Sequence, residues 1–243
     1  MNPYNLTFRK ADVMTISEVQ FSKKNQKQLE QFFKEYKHRE AISGYNIPLN
    51  NKILLYGHTG CGKTTTANAI AKELGKPIFI INLSNLVSSK LGETALNFAS
   101  VCQKAIKNEG VLFIDEFDSI GKVRDYDDKD SGEMKRLVNT IIQQIDYFPE
   151  KLVLIAATNQ FKMIDTALLR RFQLKLEFEL PSPEQLDHYY NTLLLSFPEE
   201  FKEFDRVYGI SFAEAKDSFH KIMKEKIIAV EESKGEKNIQ SKN

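Results

Sequence analysis

The stretch LLYGHTGCGKTTTANAIAKEL (residues 54–74) decides the fold class of this chain. It begins with apolar residues typical of a strand end, passes through a turn containing Gly57, Gly60 and Gly62, and ends in a helix-forming segment. Residues 57–64 match the pattern GxxxxGK followed by Ser or Thr, and they stand between a strand and a helix, the context that makes the pattern trustworthy. A glycine-rich turn that arose by chance would not be expected to have a strand directly before it and a helix directly after it. The sequence therefore predicts a phosphate-binding loop.

Each part of this loop has a physical task in holding a nucleoside triphosphate. The glycines allow a tight turn whose backbone N–H groups converge on phosphate oxygens, and the helix N-terminus adds partial positive charge. We expect Lys63 to reach the β and γ phosphates and the Thr64 hydroxyl to bind Mg²⁺. The predicted nucleotide-binding residues are Gly57, His58, Thr59, Gly60, Cys61, Gly62, Lys63, Thr64 and Thr65.

Two adjacent carboxylates follow another hydrophobic run, VLFID (111–115). Asp115 and Glu116 would emerge at the carboxyl edge of a parallel sheet, where ligands bind. Asp115 suits a direct or water-mediated contact to Mg²⁺, and Glu116 suits a base that polarises an attacking water. The pair favours hydrolysis over a kinase, which needs an acceptor pocket, and over a GTPase, whose NKxD motif this sequence lacks.

Five short hydrophobic runs alternate with helical patterns between Pro48 and Leu180. The candidate strands are KILLY (52–56), PIFIINL (77–83), VLFID (111–115), LVLIAAT (152–158) and QLKLEFEL (173–180). The first four are near-continuous apolar runs, typical of parallel strands covered on both faces. The last alternates apolar and polar residues, which predicts a half-exposed edge strand. The pattern predicts an α/β fold, a parallel five-stranded sheet flanked by helices.

Helical periodicity is clearest at 131–147, where apolar residues recur at 3.6-residue spacing. After Leu180 only helix and connection are expected, with helices at 183–195 and 211–230. Ser211 and Glu214 have the spacing of a capping box at the start of the second. Near the N-terminus, residues 23–40 place Leu29, Phe32, Phe33 and Tyr36 on one face, which we interpret as a helix docked on the core rather than a partner-binding helix.

Composition excludes several classes of protein. The 243 residues, 42% of them hydrophobic, suffice for the packed core of one or two domains. Basic and acidic residues number 34 and 33, so charge gives no global attraction to nucleic acid or anionic membrane. No apolar run could span a bilayer and MNPYNLTFRK lacks a signal-peptide core, so we expect a cytoplasmic protein with no membrane partner. Cys61 and Cys102 support neither a disulfide framework nor a zinc site.

In combination these motifs resemble those of the AAA family of ATPases, over about residues 16–230. GHTGCGKT (57–64) resembles the Walker A motif, and VLFIDE (111–116) resembles Walker B. LIAATN (154–159) resembles sensor 1, which implies that Asn159 positions the water and reads the γ phosphate. The resemblance implies Mg²⁺-dependent ATP hydrolysis, with ATP and Mg²⁺ as cofactors and a small all-helical lid after the P-loop NTPase sheet.

The expected organisation has four parts. Residues 1–45 form an N-terminal segment with a helix that leads into the core, and 46–180 form the AAA ATPase α/β subdomain. Residues 181–234 form the helical lid subdomain, and the last nine, 235–243, form a polar tail that frays.

IDTALLRRF (164–172) resembles the family segment whose arginines reach the nucleotide of a neighbouring subunit. The resemblance implies an arginine finger at Arg171, with Arg170 as the second candidate, and Arg171 matches the family's later arginine most directly because Phe172 follows it. The family separates its two arginines by two residues, whereas here they are adjacent. One of the pair could instead close a helix C-terminus.

LVSSKLGET (86–94) resembles the first pore loop of the family, which grips a threaded polypeptide. The implied substrate-contacting residues are Lys90, Leu91 and Gly92. Many unfoldases place an aromatic residue where this chain has Lys90, and a solvated lysine is an equal alternative. The charged loop at 121–130 falls where a second pore loop would be.

The resemblance implies a homo-oligomer, most readily a hexamer, that remodels, unfolds or delivers a protein substrate. An alternative is an ATP-gated switch whose assembly activates an effector such as a protease, since the chain is similar to compact bacterial single-module AAA proteins, some paired with a subtilisin-like protease in anti-phage defence. The 45 or so residues before the ATPase are too few for a sizeable recruiting domain. A DNA-handling ATPase has least support, because no basic stripe or aromatic stacking set is visible and nucleic acid is therefore an unexpected partner.

Overall fold

The computed structural model describes residues 14–84, 91–122 and 131–240. Within these ranges the strands are β1 (Lys52–Gly57), β2 (Ile78–Asn82), β3 (Val111–Asp115), β4 (Val153–Thr158) and β5 (Leu174–Phe178). They form one parallel sheet in the order β2-β3-β4-β1-β5. The predicted five-stranded parallel sheet is confirmed, with every strand end within two residues of its predicted position.

Helices precede, connect and follow the strands. They are α1 (Lys23–Lys37), α2 (Arg39–Gly44), α3 (Lys63–Glu73), α4 (Leu91–Lys107), α5 (Ser119–Lys122), α6 (Ser131–Asp146), α7 (Thr166–Leu169), α8 (Pro183–Leu194) and α9 (Phe212–Gln240), with 3-10 turns at Ile16–Glu18, Phe161–Met163 and Glu199–Phe201. None of the helices in the described ranges is both long and apolar enough to cross a membrane.

The core lies where helices cover the parallel strands. Every residue of β4 is buried, because neighbouring strands pair with it on both sides and helices pack on its faces. On one face, α4 supplies Phe98 and Cys102, and α6 supplies Ile141 and Ile145, all within one apolar cluster. Burial raises the pKa of the Cys102 thiol to about 12, so this cysteine stays protonated and inert.

The edge strand β5 is covered on its open side by α1. Leu29 and Phe32 of α1 are each 3% exposed, and the Asn25 amide donates a 2.7 Å hydrogen bond to the Glu177 carbonyl of β5. The amide thereby occupies a backbone acceptor that an edge strand would otherwise present to another chain. The predicted docking of the N-terminal helix on the core is confirmed.

The chain divides into two compact units, and the second contains residues 58–61 together with the chain from Glu179 onward. Its core is an apolar cluster between α8 and α9 that includes Tyr190, Phe219 and Met223. The capping box predicted before α9 is confirmed, because Ser211 N donates to Glu214 Oε2 at 2.8 Å and Glu214 N donates to Ser211 Oγ at 3.3 Å.

The last helix is longer than expected, so its predicted end at residue 230 was wrong. The helix was predicted over 211–230 with a fraying segment from 235, whereas α9 continues to Gln240. The residues beyond 230 are mainly Glu, Lys and other helix-compatible types, and a single glycine at 235 costs only about 1 kcal/mol relative to alanine. Polarity is therefore a poor signal for the end of a helix.

Gly57→Ala should abolish or severely weaken folding. Gly57 has φ +126°, and an added Cβ would lie 2.0 Å from the Phe178 carbonyl oxygen on the paired strand β5. A clash with backbone cannot be relieved by a rotamer change, so we expect a loss above about 4 kcal/mol in the free energy of unfolding. Urea unfolding measures it. The matched control is Gly75→Ala, where φ is +64° but nothing lies within 4 Å, with an expected loss of about 1–2 kcal/mol. Equal losses in the two variants would contradict the steric argument.

Candidate nucleotide-binding site

The predicted phosphate loop connects β1 to α3, as its sequence context required. Gly57, Gly60 and Gly62 have φ values of +126°, +74° and +98°, a region that residues with a Cβ rarely adopt. Gly62 is the N-cap of α3, so the loop leads directly onto the helix N-terminus. The unpaired N–H groups of a helix N-terminus, with its partial positive charge, favour an anion at this point.

The lysine of the motif is held over the loop. Lys63 is 8% exposed, and its Nζ donates to the Gly57 carbonyl at 2.9 Å. Thr66, one turn further along α3, is buried, and its hydroxyl donates to the Gly62 carbonyl at 2.8 Å. The Lys63 ammonium group and the N-terminus of α3 therefore both lie beside the phosphate loop, which concentrates positive charge where phosphate is expected.

The tip of the loop belongs to the second compact unit together with the start of α9. His58 and Thr59 are exposed, whereas Cys61 is 4% exposed. The Ala213 N–H donates to the Gly60 carbonyl at 3.1 Å. A Cβ at Gly60 would lie 2.6 Å from the Ser211 hydroxyl and 2.9 Å from the Ala213 Cβ, so a larger residue here would force this part of the chain to shift.

The first carboxylate of the DE pair lies beside the loop helix. The Thr64 hydroxyl donates to Asp115 Oδ2 at 3.3 Å. Burial raises the pKa of Asp115, against the opposing effect of hydrogen bonds from the Glu116 N–H and the Thr64 hydroxyl. A hydroxyl and a carboxylate at this distance form an all-oxygen donor set of the kind Mg²⁺ prefers, and a bound cation would favour the ionised carboxylate. The residues fit the predicted metal.

The second carboxylate occupies an unusual backbone conformation. Glu116 has φ +53°, a left-handed conformation that costs a non-glycine residue of order 1–3 kcal/mol. Its N–H donates to Asp115 Oδ1 at 2.9 Å, and the next residue, Phe117, is buried and donates its N–H to the Ala157 carbonyl at 2.8 Å. These contacts hold the strained turn that carries the Glu116 side chain.

Asn159 is the first residue after β4 and is exposed. Because β4 lies between β3 and β1, Asn159 leaves the sheet between the strand that ends in Asp115 and the strand that leads into the phosphate loop. The topology thus brings the loop, the carboxylate pair and Asn159 to one edge of the sheet.

The adjacent arginines differ sharply in their contacts. Arg171 makes a two-pronged ion pair with Asp146 of α6, with Nε–Oδ1 at 2.6 Å and Nη2–Oδ2 at 2.9 Å, and its Nη1 donates to the Ala167 carbonyl at 2.8 Å. The pairing lowers the pKa of Asp146 and raises that of Arg171. Arg170, the C-cap of α7, has an exposed side chain. Sequence reasoning favoured Arg171 as the finger and could not foresee this ion pair.

The candidate pore loop is described only in part. Lys90 lies outside the described residues, and the backbone of Leu91 and Gly92 opens α4. Residues 123–130 of the candidate second pore loop also lie outside the described ranges.

Sequence reasoning missed two buried polar residues at this edge of the sheet. Asp118 and Thr158 are 6% and 1% exposed, and the Thr158 hydroxyl donates to Asp118 Oδ1 at 2.8 Å. The available signals were a second aspartate three residues after Asp115 in DEFD and a hydroxyl residue directly before Asn159.

Comparison with known proteins identifies the family. Residues 53–180 match the model of the ATPase family associated with various cellular activities (AAA). An uncharacterized AAA family ATPase, y4kL, of Sinorhizobium fredii is 37% identical over 184 residues, which cover 74% of this chain and 56% of that protein. Proteasome-activating nucleotidase 1 of Haloferax volcanii is 37% identical over 151 residues, 60% of this chain and 37% of that protein.

A solved structure supports the same assignment. The FIGL-1 AAA domain in complex with ADP aligns with a TM-score of 0.62 and 27% identity, covering 82% of this chain and 66% of that one. The chain spans about half the length of the first curated relatives that it matches. With the family model covering more than half of the sequence, and the loop and carboxylates gathered at one edge of the sheet, the chain belongs to the AAA family of ATPases.

Proposed function

We propose that this ATPase works with Mg²⁺ as a homo-oligomeric ring, most readily a hexamer, and uses ATP hydrolysis to remodel, unfold or deliver a protein substrate. The 3.3 Å contact between Thr64 of the phosphate loop and Asp115 carries the chemical part of the proposal, because it joins the two halves of a nucleotide–metal site. The proposed protein substrate is supported by AAA relatives whose names refer to proteases or to the proteasome.

In the proposed site, Lys63 binds the β and γ phosphates, and Thr64 and Asp115 hold Mg²⁺, which neutralises charge on the phosphates. The remaining loop residues supply backbone N–H donors. Lys63 is buried against the loop, so its charge acts in a poorly solvated environment, where it attracts phosphate more strongly than an exposed lysine would.

Glu116 is the proposed base for the attacking water, and Asn159 the residue that orients that water. Glu116 takes part in none of the ion pairs found in the described ranges. Its left-handed backbone conformation is strained, and such strain is common at active sites, where the orientation of a side chain serves function at a cost in folding stability. Asn159 lies on the neighbouring strand end, at the same edge of the sheet.

We assign the role of trans arginine finger to Arg170. Arg171 is assigned a structural role, in which it positions Arg170. Arg171 already uses three nitrogens in contacts with Asp146 and Ala167, whereas the exposed Arg170 side chain is available to a neighbouring subunit. By tying α7 to α6, Arg171 fixes the helix end from which Arg170 projects.

The names of several relatives support the proposal that the substrate is a protein. The Haloferax relative is a proteasome-activating nucleotidase, and others are ATP-dependent zinc metalloproteases. The same names favour the second candidate, a nucleotide-gated ring that activates a partner protease, and the two candidates differ in whether polypeptide enters the pore.

The test compares ATP turnover of the full chain alone, with an unfolded polypeptide such as casein, and with single-stranded DNA. We expect stimulation by casein and none by DNA. Changing Lys90 and Leu91 together to Ala should remove the stimulation, whereas the control Lys104→Ala, at the far end of α4, should keep it. Undiminished stimulation in the double variant would contradict threading and favour the switch, and stimulation by DNA alone would favour a DNA-handling ATPase.

A further inference from the structure

Thr158 and Asp118 form a buried polar chain behind the proposed catalytic residues. The Gln160 N–H donates to Thr158 Oγ1 at 2.9 Å, and Thr158 Oγ1 lies 2.8 Å from Asp118 Oδ1. A backbone N–H can only donate and a carboxylate can only accept, so the Thr158 hydroxyl accepts from Gln160 and donates its single proton to Asp118. The direction of the chain is therefore fixed, from Gln160 through Thr158 to Asp118.

One end of this chain shapes the turn that carries Asn159. A threonine hydroxyl that accepts from the N–H two residues later closes a local turn, and the residue enclosed between Thr158 and Gln160 is Asn159. Asp118 holds the hydroxyl in the orientation that closes this turn. Because Thr158 is 1% exposed, water does not compete for the contact.

The other end restrains the turn that carries Glu116. Phe117 is fixed to β4 by its 2.8 Å hydrogen bond to Ala157, and Asp118 is fixed to Thr158 one residue further along the same strand. Two successive residues after Glu116 are therefore anchored to β4. These anchors maintain the φ of +53° at Glu116, which an unrestrained glutamate would leave.

We propose that Asp118 and Thr158 are positioning residues that couple the Glu116 turn to the Asn159 turn, so that the base and the water-orienting amide keep a fixed separation. Neither touches the nucleotide in this assignment. The inference rests on the proposed roles of Glu116 and Asn159, and it adds that those two residues work as one unit, set by a single buried hydroxyl.

The first variant is Thr158→Val, which removes the hydroxyl with little change in shape. We expect kcat for ATP to fall about 100-fold, the scale of a catalytic group displaced by about 1 Å, while the Kd for a fluorescent ADP analogue stays near the wild-type value. Thr158→Ser restores the hydroxyl and should recover most of kcat. Asp118→Ala should lower kcat to a similar level, and the double variant should be no worse than the poorer single one, because both changes break the same link.

Tyr190→Phe is the matched control, since it deletes one hydroxyl, bonded to the Val207 carbonyl at 2.9 Å, in the second unit. It should lower the melting temperature without lowering kcat. The proposal is overturned if Thr158→Val keeps wild-type kcat, if Thr158→Ser is as impaired as Thr158→Val, if the two losses multiply in the double variant, or if kcat and nucleotide affinity fall together.

Glu116→Gln, assayed in parallel, separates this inference from the proposed function. An inactive Glu116→Gln with a fully active Thr158→Val overturns the coupling alone. Wild-type turnover in Glu116→Gln overturns the base assignment, and the coupling with it, because no base would then remain to be positioned.

Discussion

Arg170→Ala should lower ATP turnover by about 10³-fold or more, the range measured for loss of an arginine finger. The guanidinium stabilises negative charge that develops on the γ phosphate, so the loss falls on the transition state more than on ATP binding. Arg170→Lys should rescue little, because an ammonium group lacks the planar fork that meets two oxygens. ATP affinity of each subunit should stay near that of wild type.

Mixing two inactive variants shows whether the arginine acts in trans. Arg170→Ala subunits keep their own base, and Glu116→Gln subunits keep their arginine, so a mixed ring contains sites with both groups. We expect turnover to return on mixing. If mixed rings form by mass photometry and remain inactive, Arg170 does not act across the interface.

Arg171 supplies the matched comparison. Arg171→Ala breaks the ion pair with Asp146, whose side chains are 28% and 42% exposed, so the expected cost is about 1 kcal/mol in the free energy of unfolding. Asp146→Asn should lower stability by a similar amount and keep most of the turnover. A loss of turnover in Arg171→Ala that is as deep as in Arg170→Ala, with rings still assembled, would return the finger to Arg171.

The different contacts of Arg170 and Arg171 could not be predicted from the sequence. The phosphate loop and the DE pair are local patterns, in which strand, turn and helix follow one another within a few residues, and their positions were predicted correctly. The partner of Arg171 lies 25 residues earlier, on another helix. Nothing in the local pattern distinguishes an arginine that finds such a partner from one that stays exposed, so the two could be separated only once α6 and α7 were placed.

The link between Asp118 and Thr158 was missed for a related reason. The two residues are 40 positions apart and meet only because β3 and β4 are neighbours in the sheet. The strand order is not given by the alternation of strands and helices, which predicts a parallel sheet without saying which strands touch. The burial of β3 and β4 was predictable from their apolar runs, whereas β2, also expected to be covered on both faces, is an edge strand with only alternate residues buried. Polar contacts between strand ends likewise depended on the topology.

Glu116→Gln is expected to keep ATP bound and to lower kcat by about 10²–10⁴-fold, the usual contribution of a general base. The amide has nearly the shape of the carboxylate and cannot accept the proton of the attacking water. Lys63, Thr64 and Asp115 are untouched, so the Kd for ATP should change little. The matched control is Glu177→Gln, an exposed glutamate on β5, which should have wild-type turnover.

The same variant tests assembly, because a site that binds ATP without hydrolysing it keeps the ATP-bound state populated. In mass photometry with ATP and Mg²⁺, we expect Glu116→Gln to shift from the 28.0 kDa monomer to about six copies, as closed cyclic symmetry allows. Adding Arg170→Ala to this variant should weaken the shift if the arginine contacts the neighbouring nucleotide. If the variant binds ATP tightly but stays monomeric, the proposed hydrolytic site is retained and the proposed assembly by ATP alone is contradicted. The ring would then require a partner as a scaffold.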